Sequence, residues 1–284
     1  MKTVTAPTPA TRPVRFGLLF GLLLTGLVHA ADPAPELPTG RFLVADSEGI
    51  SSINTGTKIE PLAAKSAYAA QGATVETQSN ARLGVVLSNG TGLAFTPDTN
   101  LLITRFQQDR FAPNRTDLDA EPSMSHFDAL LARGGLGISC TKFSAGSTMS
   151  VKTRHGSIII QGGKLFIEAT DTQTTVSLVE GRLTIRDDLK GVGVPLQVGQ
   201  QAIITRQAQT LQAMIKLVTL AERDLQLIKD PVDLSTMARR TVYFDVVKPG
   251  VPGEERLIPV RVLPGTIPGP NTVSPFRITR TVVR

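Results

Sequence analysis

The sequence predicts an all-β fold of stacked, solenoid-like hairpins arranged as a sandwich, followed by one C-terminal α-helix and an extended tail. Three observations lead there. Apolar residues recur at every second position through 74–77 and 82–87, the two-residue period of a strand with one buried face. Turn chemistry falls at short intervals, with Ser88-Asn89-Gly90-Thr91 and Pro97-Asp98-Thr99-Asn100 each closing a strand. A helical period shows late in the chain, where Leu211, Met214, Ile215, Val218, Leu225 and Ile228 fall near a single face.

Taken in order, residues 1–31 read as an export signal. Lys2, Arg12 and Arg15 precede an apolar run over 16–28, and Val28-His29-Ala30-Ala31 offers small residues for cleavage after Ala30 or Ala31. That run is shorter than the roughly 20 residues a spanning helix needs, so a periplasmic or secreted protein is expected, with membrane association only through an uncleaved N-terminal segment. Pro33, Pro35 and Pro38 make 32–40 a flexible leader. The β domain follows over 41–206, with short strands expected at 41–45, 50–54, 73–77, 82–87, 93–95, 101–106, 138–145, 148–153, 157–161, 164–169, 175–179, 181–185 and 201–205. Asn89-Gly90 is expected to form a type I′ turn with φ positive at both residues. A polar insertion at 107–133 is expected to hold one helical turn at 125–132, capped by Ser123 or Ser125. Residues 207–230 form the amphipathic helix, stopped by Pro231, which either covers a sheet edge or docks a partner. A strand at 241–247 and a Pro-rich basic tail complete 231–284.

Few residues carry reactive chemistry. The single cysteine, Cys140, has no partner for an intrachain disulfide and lies in an alternating segment, so it reads as a small buried apolar residue; the rival reading, a nucleophile, needs a base beside it. His126 and His155 lack the spacing of a metal site. The Asp187-Asp188 pair and the Asp117, Asp119 and Glu121 cluster read as solvated turn carboxylates. Gly134-Gly135-Leu136-Gly137 lacks the Lys-Ser/Thr that completes a phosphate cradle. No catalytic, cofactor or metal residues are therefore assigned. The formal charge of +6 belongs largely to the tail, where Arg239, Arg240, Lys248, Arg256, Arg261, Arg277, Arg280 and Arg284 stand scattered among apolar residues. Dense basic runs that grip phosphates are missing, which argues against a nucleic-acid partner.

The segments Gly72-Ala73-Thr74-Val75-Glu76-Thr77, Asn80-Ala81-Arg82-Leu83, Leu87-Ser88-Asn89-Gly90-Thr91 and Pro97-Asp98-Thr99-Asn100 together resemble the FecR domain, an extracytoplasmic signalling module. Thr175-Val176-Ser177-Leu178-Val179-Glu180-Gly181-Arg182-Leu183-Thr184-Ile185 and Val198-Gly199-Gln200 extend the resemblance over about 42–205. The segment between Arg110 and Arg133 and the glycines Gly162-Gly163 depart from the family pattern. The resemblance implies a module that senses an outer-membrane receptor and signals through a spanning helix to a cytoplasmic anti-sigma region. With fifteen residues ahead of the apolar run, direct sigma-factor control is not expected here. The expected role is a non-catalytic binding, sensing or scaffold module of the cell envelope whose partner is an envelope protein or glycan. Leu211, Ile215, Val218, Leu225, Arg277 and Arg280 are the candidate partner-binding residues. The alternatives are a membrane-anchored sensor of FecR type and, third, an envelope enzyme.

Overall fold

The computed structural model describes residues 39–112, 117–187, 193–206, 212–247 and 256–262. All lie in the compact unit Leu37–Arg284; a second unit, Met1–Glu36, is outside the described residues, as is the expected signal sequence. In chain order the strands are β1 Arg41–Glu48, β2 Ser51–Asn54, β3 Ile59–Pro61, β4 Ala67–Ala69, β5 Thr74–Thr77, β6 Arg82–Leu87, β7 Gly92–Phe95, β8 Asn100–Gln108, β9 Ser125–Ser139, β10 Thr148–Lys152, β11 Ser157–Ala169, β12 Thr174–Arg186, β13 Gly193–Leu196, β14 Gln200–Arg206 and β15 Ala213–Thr219. Helix α1, Glu222–Thr241, follows, and β16 Val242–Val247 pairs with β17 Arg256–Arg261 as a separate antiparallel hairpin.

Strands β1 to β15 join one sheet folded over into two layers. The first layer runs β15, β14, the start of β12, the ends of β11 and β9, then β7, β6, β1 and β4. The second runs β3, β2, β5, β8, the start of β9, β10, the start of β11, the end of β12 and β13. Only the β9–β10 pair is parallel among the described pairs. Three long strands thus serve both layers, and each turns its corner at glycine. Gly163 pairs with Gly181 at the β11–β12 corner, with φ of 109° and 94°. Backbone approaches so closely there that a Cβ on Gly163 would stand 1.9 Å from the Glu180 carbonyl oxygen. A strand that changes sheet at a bulge is how packed sheets form corners. These glycines look like strand ends in the sequence, but they are bends in continuous strands.

Between the layers lies one apolar core. Leu83, Leu93, Phe95 and Leu136 from the first layer meet Ile103, Phe127, Leu131 and Val151 from the second. Phe106 and Phe127 pack edge-on with ring centroids 5.5 Å apart. Full burial of each such side chain contributes roughly 1.5–3 kcal/mol. The all-β class with one helix is as the sequence predicts, and β6 and β7 form the expected hairpin, but its register has Leu83 opposite Phe95, one residue from the Leu83–Thr96 pairing that a two-residue Asn89-Gly90 turn sets. Its turn differs. Gly90 has φ 90°, but Asn89 is not in the positive region. The Leu87 carbonyl accepts the Gly90 N–H at 2.8 Å and the Leu87 N–H reaches Thr91, the pattern of a type I turn closed by a glycine bulge.

Three further expectations are corrected. The 125–132 segment is the start of β9: Phe127, Ala129 and Leu131 point into the core, so the sandwich overrides a helix-favouring composition. The helix lies at Glu222–Thr241, whereas 213–219 pairs with β14 through seven consecutive residue pairs, Gln200 opposite Thr219 to Arg206 opposite Ala213. Met214-Ile215-Lys216-Leu217-Val218 is a short apolar run around one lysine that periodicity alone does not assign, and pairing with β14 decides for the strand. Pro231 sits inside the helix rather than ending it. Its missing N–H costs one intrahelical bond, offset by tertiary packing. Finally, part of the expected tail is β17, in which Val260 is buried; 248–255 and 263–284 are outside the described residues.

Helix α1 lies across the outer face of the first layer, not along an edge. Two cross-strand rows of small residues make its bed: Gly84–Ala94–Gly137, and Gly92–Ser139 beside Val86. The Pro231 carbonyl comes within 2.4 Å of where a Cβ on Gly137 would be, and Leu234 comes within 3.2 Å of where a Cβ on Gly84 would be. Ile228, Val232, Ser235 and Ala238 are the buried helix positions, spaced as one stripe. This explains why β6 and β7 are buried on both faces.

Candidate functional site

The reactive side chains are built into the fold. Cys140 directly follows β9 and is half-buried, with Sγ 3.8 Å from Met149 Sδ against the core. Burial pushes its thiol up to about 12, with the Arg239 charge opposing and Glu121 adding. A thiol that stays protonated at neutral pH is a poor nucleophile. Iodoacetamide at pH 8 is therefore expected to leave Cys140 unmodified in the folded protein and to label it once urea unfolds the chain. Rapid labelling of the native protein would reinstate a reactive cysteine.

His155 is buried in the β10–β11 turn, where Nδ1 lies 3.0 Å from Thr174 Oγ1; burial pushes its pKa down. His126 stands on the outer face of the second layer beside Thr148 at 2.9 Å. The two histidines, one on β9 and one in the β10–β11 turn, have separate partners. Among the described residues no group of three His, Cys, Asp or Glu side chains is placed to hold a metal ion.

Two carboxylates read as solvated turn residues are buried. Glu121 is 6% exposed and accepts hydrogen bonds from Ser125 Oγ, from the Ser144 N–H at 2.8 Å and from Ser147 Oγ. It clamps the segment before β9 onto the loop before β10. Asp187, 4% exposed, accepts the Ala213 N–H at 3.3 Å and so fixes the first residue of β15. Asp117 and Asp119 are exposed as expected, and Asp188 lies outside the described residues.

The candidate partner-binding residues do not form one surface. Leu211, Arg277 and Arg280 are outside the described residues. Ile215 and Val218 are on β15, Ile215 half-buried toward the core and Val218 on the opposite face. Leu225 belongs to the first turn of α1 and packs on Phe166, Leu220, Ile228 and Val232. What the structure does present is the edge made by β15 itself. Met214 is 52% exposed, Leu217 is 39% exposed and Lys216 is exposed between them. A lysine at the centre of a short apolar run is a mark of an edge strand, and it was the available signal for this surface.

Residues 73–184, from the residue before β5 to within β12, match the FecR protein family. No curated protein matches the chain. Two crystal structures of a protein from Parabacteroides distasonis ATCC 8503, described as a "putative anti-sigma factor" and solved at 1.65 and 2.50 Å, are similar at 16% identity over 54% of this chain, with TM-scores of 0.38 and 0.39. The chain covers 64% and 63% of their lengths.

Proposed function

We propose, from the premise that residues 73–184 are a FecR domain, that this protein is an exported, non-catalytic sensing and binding module of the bacterial cell envelope. The domain match is the observation that carries the reading, because the resemblance implies a regulatory rather than a chemical role. The side chains support it: the one cysteine is held protonated, and the two histidines and the buried carboxylates are bound up in structural hydrogen bonds. The basic N-terminal region, the apolar run 16–28 and the Ala30-Ala31 pair support export with cleavage. The partner is an envelope protein or glycan, and no cofactor takes part.

Two measurements test this. N-terminal sequencing of the exported form is expected to read from Ala31 or Asp32; an intact chain from Met1 in the inner membrane replaces the exported module by a membrane-anchored sensor. Cross-linking in intact cells, followed by purification of the exported protein, is expected to recover a defined envelope component. Recovery of the protein alone from every envelope fraction would count against a binding role.

A further inference from the structure

Among the described residues, β15 is the one long sheet edge that neither brevity nor proline closes, and Lys216 is its single charged side chain. Four strands close the two layers: β4 and β3 have three residues each, β3 ends in Pro61, and β13 has four residues including Pro195. Brevity and proline are the ordinary means of blunting an edge. By contrast β15 runs seven residues, holds no proline, and pairs with β14 without a register shift. Its far side has no partner strand among the described residues, so its outward N–H and C=O groups form a ready template for another strand.

Charge restricts the occupant. Lys216 is the sole ionisable side chain of β15 and makes no ion pair among the described residues. A second copy joined through the same edge would bring another Lys216, and the chain's own 263–284 segment holds Arg277, Arg280 and Arg284 with no carboxylate side chain. Neither supplies a counter-charge. We infer that β15 takes up an extended strand of another protein, with apolar side chains facing Met214 and Leu217 and a carboxylate opposite Lys216. Backbone pairing gives this mode its affinity, and the alternate side chains give it selectivity. The inference rests on the reading that the module binds a protein partner and identifies the surface that does so.

The test uses the exported protein and two synthetic nonapeptides, Thr-Thr-Val-Val-Glu-Val-Val-Thr-Thr and the same sequence with lysine at the centre, so that valine meets both Met214 and Leu217 when the charge lies opposite Lys216. Hydrogen exchange at the amides of 213–219 that point away from β14 is expected to be fast in the free protein and to slow on saturation with the glutamate peptide. That peptide is expected to bind roughly three- to tenfold more tightly than the lysine peptide, as for an exposed charge pair exchanged for like charges. Lys216→Glu, a change at an exposed position, is expected to invert the preference. Unchanged exchange at 213–219, protection at another edge, or a preference indifferent to Lys216→Glu would overturn the inference. So would slow exchange at those outward amides in the free protein, which makes the chain's own tail the occupant, or protection that rises with protein concentration, which makes it a second copy. If cross-linking recovers an envelope partner and Lys216→Glu leaves that capture intact, the edge inference fails while the binding module stands.

Discussion

Gly163→Ala is expected to destabilise the protein by roughly 2–6 kcal/mol, combining left-handed backbone strain with a steric clash in a packed region. Gly163 holds φ at 109°, where a side chain is strained, and its Cβ would lie 1.9 Å from the Glu180 carbonyl oxygen and 2.6 Å from Gly181 Cα. Neither contact is the tip of a flexible side chain, so relief requires the β11–β12 ladder to part at the corner that joins the layers. Equilibrium urea unfolding measures the loss. A change below about 1 kcal/mol would mean that the corner is not built as described.

The second large effect is at the helix bed. In Gly92→Val the first added carbon would sit 1.9 Å from the Ser235 carbonyl oxygen and 3.3 Å from Arg239 Cβ. The backbone oxygen of a helix cannot swing aside, so α1 must lift. Lifting it exposes Ile228, Val232 and Ala238 and uncovers Phe166, a loss of roughly 3–6 kcal/mol at the usual value per buried side chain. The expected result is rapid hydrogen exchange throughout 222–241 and new proteolytic cleavage there. Retention of native protection in the helix would show that it does not rest on the glycine rows.

The hairpin 82–95 was readable because Asn89-Gly90 is a local signal, but the reason for Asn89 was not. Its Oδ1 accepts the Thr91 N–H at 3.0 Å and its Nδ2 donates to Ser125 Oγ at 3.0 Å. Asparagine is there for a buried polar network assembled from distant sequence, rather than for a left-handed backbone. The helix was misplaced for the same kind of reason. Segment 213–219 becomes a strand through β14, and Glu222–Thr241 tolerates Pro231 through contact with β6, β7 and β9, strands more than eighty residues earlier at their nearest. Non-local packing is invisible to periodicity. The same limit hid the β15 edge: Ile215 and Val218 were singled out as neighbours on a helix, yet on a strand they face opposite sides.

The sharing of β9, β11 and β12 between the layers bears on how the domain responds to tension. When a two-layer domain is pulled, sandwiches whose layers are joined by loops alone can peel apart one sheet at a time. Here a force on the first layer runs along three continuous strands into the second, where β8, β10 and β13 are hydrogen-bonded to them along their lengths. Parting the layers therefore requires these ladders to slide in shear, with many bonds loaded together. The glycine corners make the domain a single mechanical body, able to hold its shape and pass a displacement from one side to the other.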